Sequence, residues 1–297
     1  MAHNHSHNTE GNQSEKNLIV TIFLNFIISI VEIIGGLLSG SLSLISDALH
    51  NFSDGFALII TYIAIKLSKK PKTLKYTFGL KRAEIIAAIV NSFTLIVISF
   101  FLIKEAVERF SHPSPIVGSL MLIVATIGFI ANVVGTLLLK KGSKNNLNMR
   151  AAYFHLFSDA VSSLAVIIGA IFIIVFQVYW LDPLLTILIS LYILKEAYSI
   201  TKEAIEVLMM SAPDGIDIKE IQREIETIPD VINIHHLHLW KLNDNQIHFE
   251  AHIEVHDTLI STLMPIKIDI EEILEHKFGV SHTTIQFEIS QCDNVLV

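Results

Sequence analysis

Long apolar runs with brief polar interruptions fill the first two thirds of the chain, and short alternating segments fill the remainder. A helix needs about 20 mostly apolar residues to cross a hydrocarbon core. Six stretches meet that length: Leu18 to Leu38, Leu42 to Leu67, Ala83 to Ile103, Ile116 to Leu139, Ala151 to Phe176 and Leu184 to Ile205. Only Ser39, Gly40 and Ser41 divide the first two, so these helices are expected to lie antiparallel and adjacent. Pro113 and Pro115 punctuate the third connection, and Asp182 with Pro183 the fifth. After Pro213 the period changes. Ile216 to Ile228 reads as an amphipathic helix and Ile232 to Leu242 as a strand. From Gln246 to His256, Ile247, Phe249, Ala251, Ile253 and Val255 point one way and Gln246, His248, Glu250, His252, Glu254 and His256 the other, the period of a half-buried strand. Asn243 to Asn245 supply a hairpin turn, Leu263 to Phe278 a second helix and Thr283 to Ile289 a third strand. The order αββαβ predicts a small open-faced α+β sandwich.

Composition agrees with a membrane protein: 52% of residues are hydrophobic and 17% charged, with mean hydropathy +0.55, where a soluble domain carries about a quarter charged. Three segments are expected: an N-terminal tail over 1–15, a six-helix transmembrane domain over 16–210 and a cytoplasmic domain over 211–297. The last holds five Lys and Arg against sixteen Asp and Glu, a net charge of −11. That balance excludes nucleic acid as a partner, because phosphate binding needs a basic footprint, and it suits a domain that meets cations. The single Cys292 excludes an internal disulfide. The polar first 15 residues lack the basic start and short apolar core of a cleavable signal, so the first helix is expected to direct insertion. Lys and Arg collect after the second helix (Lys66 to Arg82), after the fourth (Lys140 to Arg150) and at the end of the sixth (Lys195, Lys202). By the positive-inside tendency both termini are cytoplasmic. Lys104 and Arg109, flanked by Glu105 and Glu108, are a mild exception.

Ionisable residues inside apolar helices are costly and mark pathways or sites. The second helix carries His50 and Asp54, and the fifth carries His155 and Asp159, each pair spaced i, i+4. That spacing puts an imidazole and a carboxylate on one helix face. Two such helices together offer two nitrogens and two oxygens to one point, a set that zinc takes readily in a tetrahedron. Two carboxylates cancel the charge of a divalent ion, leaving a loaded site that is neutral and able to release its cargo. One such pair could be a structural hydrogen-bonder; the same pattern on two helices favours a site. Asp47 is expected to support the site or its outer mouth rather than to ligate.

The residues VEIIGG around Glu32 to Gly36, SLSLISDALHNFSD from Ser41 to Asp54, FGLKRAEIIAA from Phe78 to Ala88, HLFSDAVSS from His155, WLDP from Trp180, HHLHLW from His235 and TIQFE from Thr284 occur in one order along almost the whole chain. In these motifs the sequence resembles the cation diffusion facilitator family. The resemblance implies a homodimeric metal/proton antiporter with six transmembrane helices per subunit and a ferredoxin-like, metallochaperone-like cytoplasmic domain. In that family His at the position of His50 goes with zinc preference, which favours zinc over manganese. By the same resemblance His235, His252 and Glu288 match cytoplasmic metal ligands, with His282 as a fourth candidate. The domain holds eight of the chain's 14 His, although a solvated sheet face would also collect them. The connection Ser68 to Leu80 contains no His, Asp or Glu, so the extra metal site some relatives carry there is expected to be missing. The His-rich loop of several relatives is also absent from Lys140 to Asn148, and His3, His5 and His7 could be a reduced substitute.

The expected function is export of Zn2+, with Cd2+ or Co2+ as further cargo, from the cytoplasm in exchange for protons across a bacterial inner (plasma) membrane, with no organic cofactor and no enzymatic activity. No phosphate-cradling Gly-x-x-x-x-Gly-Lys motif is present to couple ATP. Proton competition for the imidazole lone pairs supplies a driving exchange instead. A membrane metallopeptidase is excluded by the lack of His-Glu-x-x-His. A non-transporting metal sensor is the alternative.

Overall fold

The computed structural model describes residues 7–112, 114–140, 147–243 and 246–289. His3, His5 and Cys292 lie outside the described residues, as does the side chain of His7. Six long helices come first: α1 (His7–Ser39), α2 (Leu42–Ser68), α3 (Ala83–Ser111), α4 (Gly118–Leu139), α5 (Leu147–Phe176) and α6 (Leu181–Leu208). Five of them are long and apolar enough to cross a membrane, and Phe23–Ser39 of α1 adds a shorter apolar helix. Large apolar side chains such as Phe93, Phe100, Phe101, Ile130, Leu137 and Val175 point outward from them. Apolar groups turned outward around helices whose backbone is internally satisfied suit a hydrocarbon surround. The chain is an integral membrane protein.

Helix α3 runs eight residues past the apolar stretch that ends at Ile103. Two i, i+4 ion pairs support the added turns, Lys104 with Glu108 at 3.7 Å and Arg109 with Glu105 at 3.3 Å. Arg109 also donates from Nη1 to the carbonyl of Gly40, in the tight α1–α2 turn where Gly40 takes φ +76°. The exception to the charge rule thus has a structural role. Close approach of α1 to its neighbours needs small residues: a Cβ on Gly35 would meet Val124 Cγ2 at 2.6 Å, and one on Gly36 would meet Ile45 Cγ1 at 2.6 Å. Leu44, Met121, Val124, Ala125, Val166, Ala170 and Ile173 form the core where α2, α4 and α5 meet.

The remainder is α7 (Ile218–Ile225), β1 (Val231–Asn243), β2 (Gln246–Val255), α8 (Ile260–Phe278) and β3 (His282–Glu288), the predicted αββαβ order. Strand β2 is central, antiparallel to β1 and parallel to β3. One sheet face packs Phe249, Ala251, Ile253 and Val255 against Ile221, Ile225, Ile270 and Leu274 of α7 and α8, which is why both helices are amphipathic. Packing divides the chain into two compact units. The first holds the described residues up to Tyr62 with Val90–Thr201, and the second holds Ile63–Ile89 with the described residues from Lys202 onward. In the second, Ile85 packs with Ala204 and Val207.

Candidate metal centre

Interlocking of the two i, i+4 pairs brings His50, Asp54, His155 and Asp159 together between α2 and α5. His50 Nδ1 lies 3.5 Å from Asp54 Oδ2 and its Nε2 3.9 Å from Asp159 Oδ1. His155 Nε2 lies 3.3 Å from Asp54 Oδ2 and 3.6 Å from Asp159 Oδ2. These are ion-pair separations without hydrogen-bond alignment: His50 Nδ1, Asp54 Oδ2 and Asp159 Oδ2 are buried and have no hydrogen-bond partner. Buried polar atoms are normally satisfied, whereas these converge without pairing. His50, His155 and Asp159 each offer one atom within 4.8 Å of the others, while Asp54 meets His50 through the opposite ring nitrogen. Accessibility is graded: Asp159 and His50 side chains are 3% and 11% exposed, Asp54 and His155 24% and 38%. The cluster therefore has a closed floor and an open side.

Asp47 lies beside the cluster and is fully engaged, its two oxygens accepting from Ser162 Oγ at 2.6 Å and Ser163 Oγ at 3.0 Å. It ties α2 to α5 at the level of the site. Asp182, which the sequence reading treats only as punctuation, does the same for α2 and α6. Its buried carboxylate accepts from the backbone N–H of Leu42 at 2.8 Å and of Ser43 at 3.2 Å, and from the hydroxyls of Ser41 and Ser43, both at 2.6 Å. An acidic group on the free N–H groups of a helix start complements its dipole. The available signal was a lone acid at the edge of an apolar run.

A second cluster sits on the sheet. His235 Nε2 is 3.1 Å from Glu288 Oε2, and His252 Nδ1 is 2.9 Å from Glu288 Oε1. His235 and His252 face each other in the β1–β2 register. Burial raises the Glu288 carboxyl, but hydrogen bonds from Gln286 and His235 and the charges of His252 and His235 outweigh it and hold the group below its usual range. A register shift between His235 and His238 bulges β1, and His236 takes φ +46° there. The bulge brings the His236 ring within 5.4 Å of His235 and 5.1 Å of His252. Strict alternation sends neighbouring residues to opposite faces, so this third imidazole was not legible. The structure sets His282 apart from these residues. It pairs with His248 in the β2–β3 register, with ring centroids 4.8 Å apart, six positions along β3 from Glu288. His248 departs from the predicted polar face and is buried, because Trp240, His282 and Phe78 of the α2–α3 connection cover it at 5.5, 4.8 and 5.6 Å.

Comparison with known proteins identifies the family of the chain. The cation efflux transmembrane domain matches residues 18–209, and the cation efflux protein cytoplasmic domain matches residues 213–290. The chain belongs to the cation diffusion facilitator family. This is a family of transporters rather than enzymes. The cation diffusion facilitator of Bacillus subtilis named cadmium, cobalt and zinc/H(+)-K(+) antiporter is 40% identical over 97% of this chain and 92% of its own length. The zinc transporter ZitB of Escherichia coli is 36% identical over 98% and 94%, and the metal cation efflux system protein CzcD of Cupriavidus metallidurans 34% over 99% and 92%. The solved metal-bound C-terminal domain of the CzcD transporter is 32% identical, covers 25% of this chain and 99% of the solved one, and superposes with a TM-score of 0.23.

Proposed function

We propose that this protein exports Zn2+, and also Cd2+ or Co2+, from the cytoplasm in exchange for protons, by alternating access around His50, Asp54, His155 and Asp159. The observation that carries the reading is the convergence of unpaired donor atoms on two membrane helices. Two imidazoles and two carboxylates suit a borderline-soft divalent ion, and the carboxylates neutralise it. Imidazole must be neutral to ligate. A proton arriving from the outer side therefore competes for the lone pair that holds the metal, and metal entering from the cytoplasm displaces that proton. The graded accessibility of the four residues supports a centre that opens to one side at a time. Relatives named for cadmium, cobalt and zinc transport favour the same cargo class. The transmembrane domain of this reading covers 16–210 and the cytoplasmic domain 211–297. Both termini face the cytoplasm of a bacterial cell, the bilayer surrounds the helices, and two copies form the working dimer.

His235, His252 and Glu288 form a regulatory zinc site in this reading. The sensor alternative lacks support from a cluster set within the membrane helices, where a sensor needs no ligand. The test is zinc flux into sealed proteoliposomes against a pH gradient, with Asp54→Ala and Asp159→Ala. Both variants are expected to insert and to dimerise without transporting. Normal flux in either would overturn the assignment.

A further inference from the structure

Beside the proposed centre runs α6, which contributes none of its four ligands. Tyr192 and Glu196 stand one helical turn apart there, and the Tyr192 hydroxyl donates to Glu196 Oε1 at 3.0 Å. The same hydroxyl meets Ser158 Oγ of α5 at 3.1 Å. Ser158 is next to Asp159, and nearly one turn before it on α5 stands His155, the most exposed of the four at 38%. The Glu196 carboxylate is close enough to act on the His155 ring through its charge, and the Tyr192 hydroxyl lies within similar reach of Asp159. Tyr192 and Glu196 are both exposed, on a helix long and apolar enough to cross a membrane. An ionisable group in such a helix is costly and almost always faces a partner or a water-filled path. Among the described residues no basic side chain forms an ion pair with Glu196; an ion pair further along α6 joins Lys202 and Glu206 instead. An i, i+4 hydrogen bond on an exposed face accounts for Tyr192, but not for a carboxylate held beside the open edge of a cation centre.

We propose that Glu196 is a capture residue: positioned by Tyr192 and Ser158, its carboxylate draws a divalent cation to the His155 edge of the centre before the four ligands close around it. The inference rests on the transport reading above, in which the end of α6 that leads into residues 211–297 is cytoplasmic. Glu196 stands one turn nearer that end than Tyr192, on the side from which export loads the centre. Two aspartates already neutralise a bound divalent ion, so Glu196 adds a negative charge outside the ligand set. A charge placed there raises the concentration of cations at the mouth and speeds their arrival. Its pull on a divalent ion is twice that on a monovalent one at the same distance. The hydrogen bond from Tyr192 fixes the carboxylate through Oε1. Standing outside the loaded set, Glu196 takes no part in holding the ion when the centre opens to the other side.

The test is zinc flux by the full chain in proteoliposomes, measured against zinc concentration at low and at high ionic strength. Glu196→Gln keeps an acceptor for Tyr192 and removes the charge. It should raise the half-saturating zinc concentration about fivefold at low ionic strength, change the maximal rate far less, and lose much of the salt dependence of wild type. Glu196→Lys should raise half-saturation further, so that the order Glu, Gln, Lys follows charge rather than shape. Tyr192→Phe frees the carboxylate but keeps its charge, and should retain the salt dependence with a smaller rise in half-saturation. Should E196K fail to insert, E196Q against Y192F carries the comparison. Wild-type half-saturation and salt response in E196Q would overturn the capture role, and a lowered melting temperature in Y192F alongside them would leave the pair as a tie between α5 and α6. Wild type that does not transport zinc would strike the transport reading instead. Calorimetric titration of zinc into the full chain in detergent, at low and high salt, then decides the capture role alone. Weaker binding to E196Q than to wild type at low salt, converging at high salt, supports it, and equal affinities refute it.

Discussion

At the scale of the residue, imidazole is what fits the proposed centre between α2 and α5 to a transition metal rather than to a hard cation. Replacing His50 by Asp exchanges a borderline nitrogen for a hard anionic oxygen and adds negative charge to the centre. His50→Asp is expected to broaden transport toward cadmium or manganese, read as zinc flux in the presence of each competitor; an unchanged competition profile would count against His50 as the selector. The His50, Asp54, His155 and Asp159 constellation was legible in sequence because its signal is local, two ionisable residues one turn apart inside an apolar run. Glu32, the acid within the apolar stretch of α1, sends the same kind of signal yet was read only as part of a motif. Its burial against Gly128 of α4 depends on a helix distant in sequence and has no local signature. His248 was misplaced for a related reason. Its cover includes Phe78, 170 positions earlier. Burial first, then the charges of His282 and Lys72, hold His248 below the usual imidazole value of 6.5. Its native contacts are those of the neutral ring, so their contribution is whole above pH 6.5 and is lost as pH falls through the lowered folded value. Trp240 fluorescence, recorded in a Trp180→Phe background, should therefore change on acidification below pH 6.5. A flat profile would refute the linkage.

At the scale of the element, helix existence followed from length and apolarity, whereas helix ends followed from polar partners that hydropathy does not weigh. Helix α3 continues to Ser111 on its paired charges, and the start of α2 rests on an acid about 140 residues away. Asp182→Ala removes four hydrogen bonds at once and leaves two buried N–H groups and two hydroxyls without their acceptor. The expected loss is about 3 kcal/mol, measured as a lowered unfolding transition in detergent. Because the same carboxylate fixes the origin of the helix that carries His50 and Asp54, zinc affinity should fall with it. A variant with wild-type stability would mean that water or a neighbour replaces the cap. The β strands were legible to within a residue or two, since alternation is a strong signal where one face is buried. The bulge in β1 was not, since it breaks that alternation.

At the scale of the whole molecule, the chain joins a greasy N-terminal domain to an acidic C-terminal one of opposite charge character. A net charge of −11 on residues 211–297 repels a second copy, and bound cations relieve that repulsion. Zinc held by His235, His252 and Glu288 should stabilise the cytoplasmic domain by about 2.7 kcal/mol at a hundredfold excess over its dissociation constant, seen as a rise in melting temperature. The double variant His252→Ala with Glu288→Ala should lose that rise and show weaker apparent metal affinity in transport with little change in maximal rate. An unshifted melting temperature in wild type would return these residues to a solvated sheet face. The bulge that gathers His235, His236 and His252 has a further consequence. Strand β1 is one of two open edges of a three-stranded sheet, and an open edge of thirteen residues is a template for pairing with stray chains. Register shifts at three points along it interrupt and twist that edge, as folded proteins do to keep sheets from adding to one another. Straightening the strand would thus open that edge to other chains and disperse the imidazole cluster, so that resistance to aggregation and the gathering of the three rings are held by the same kink in the backbone.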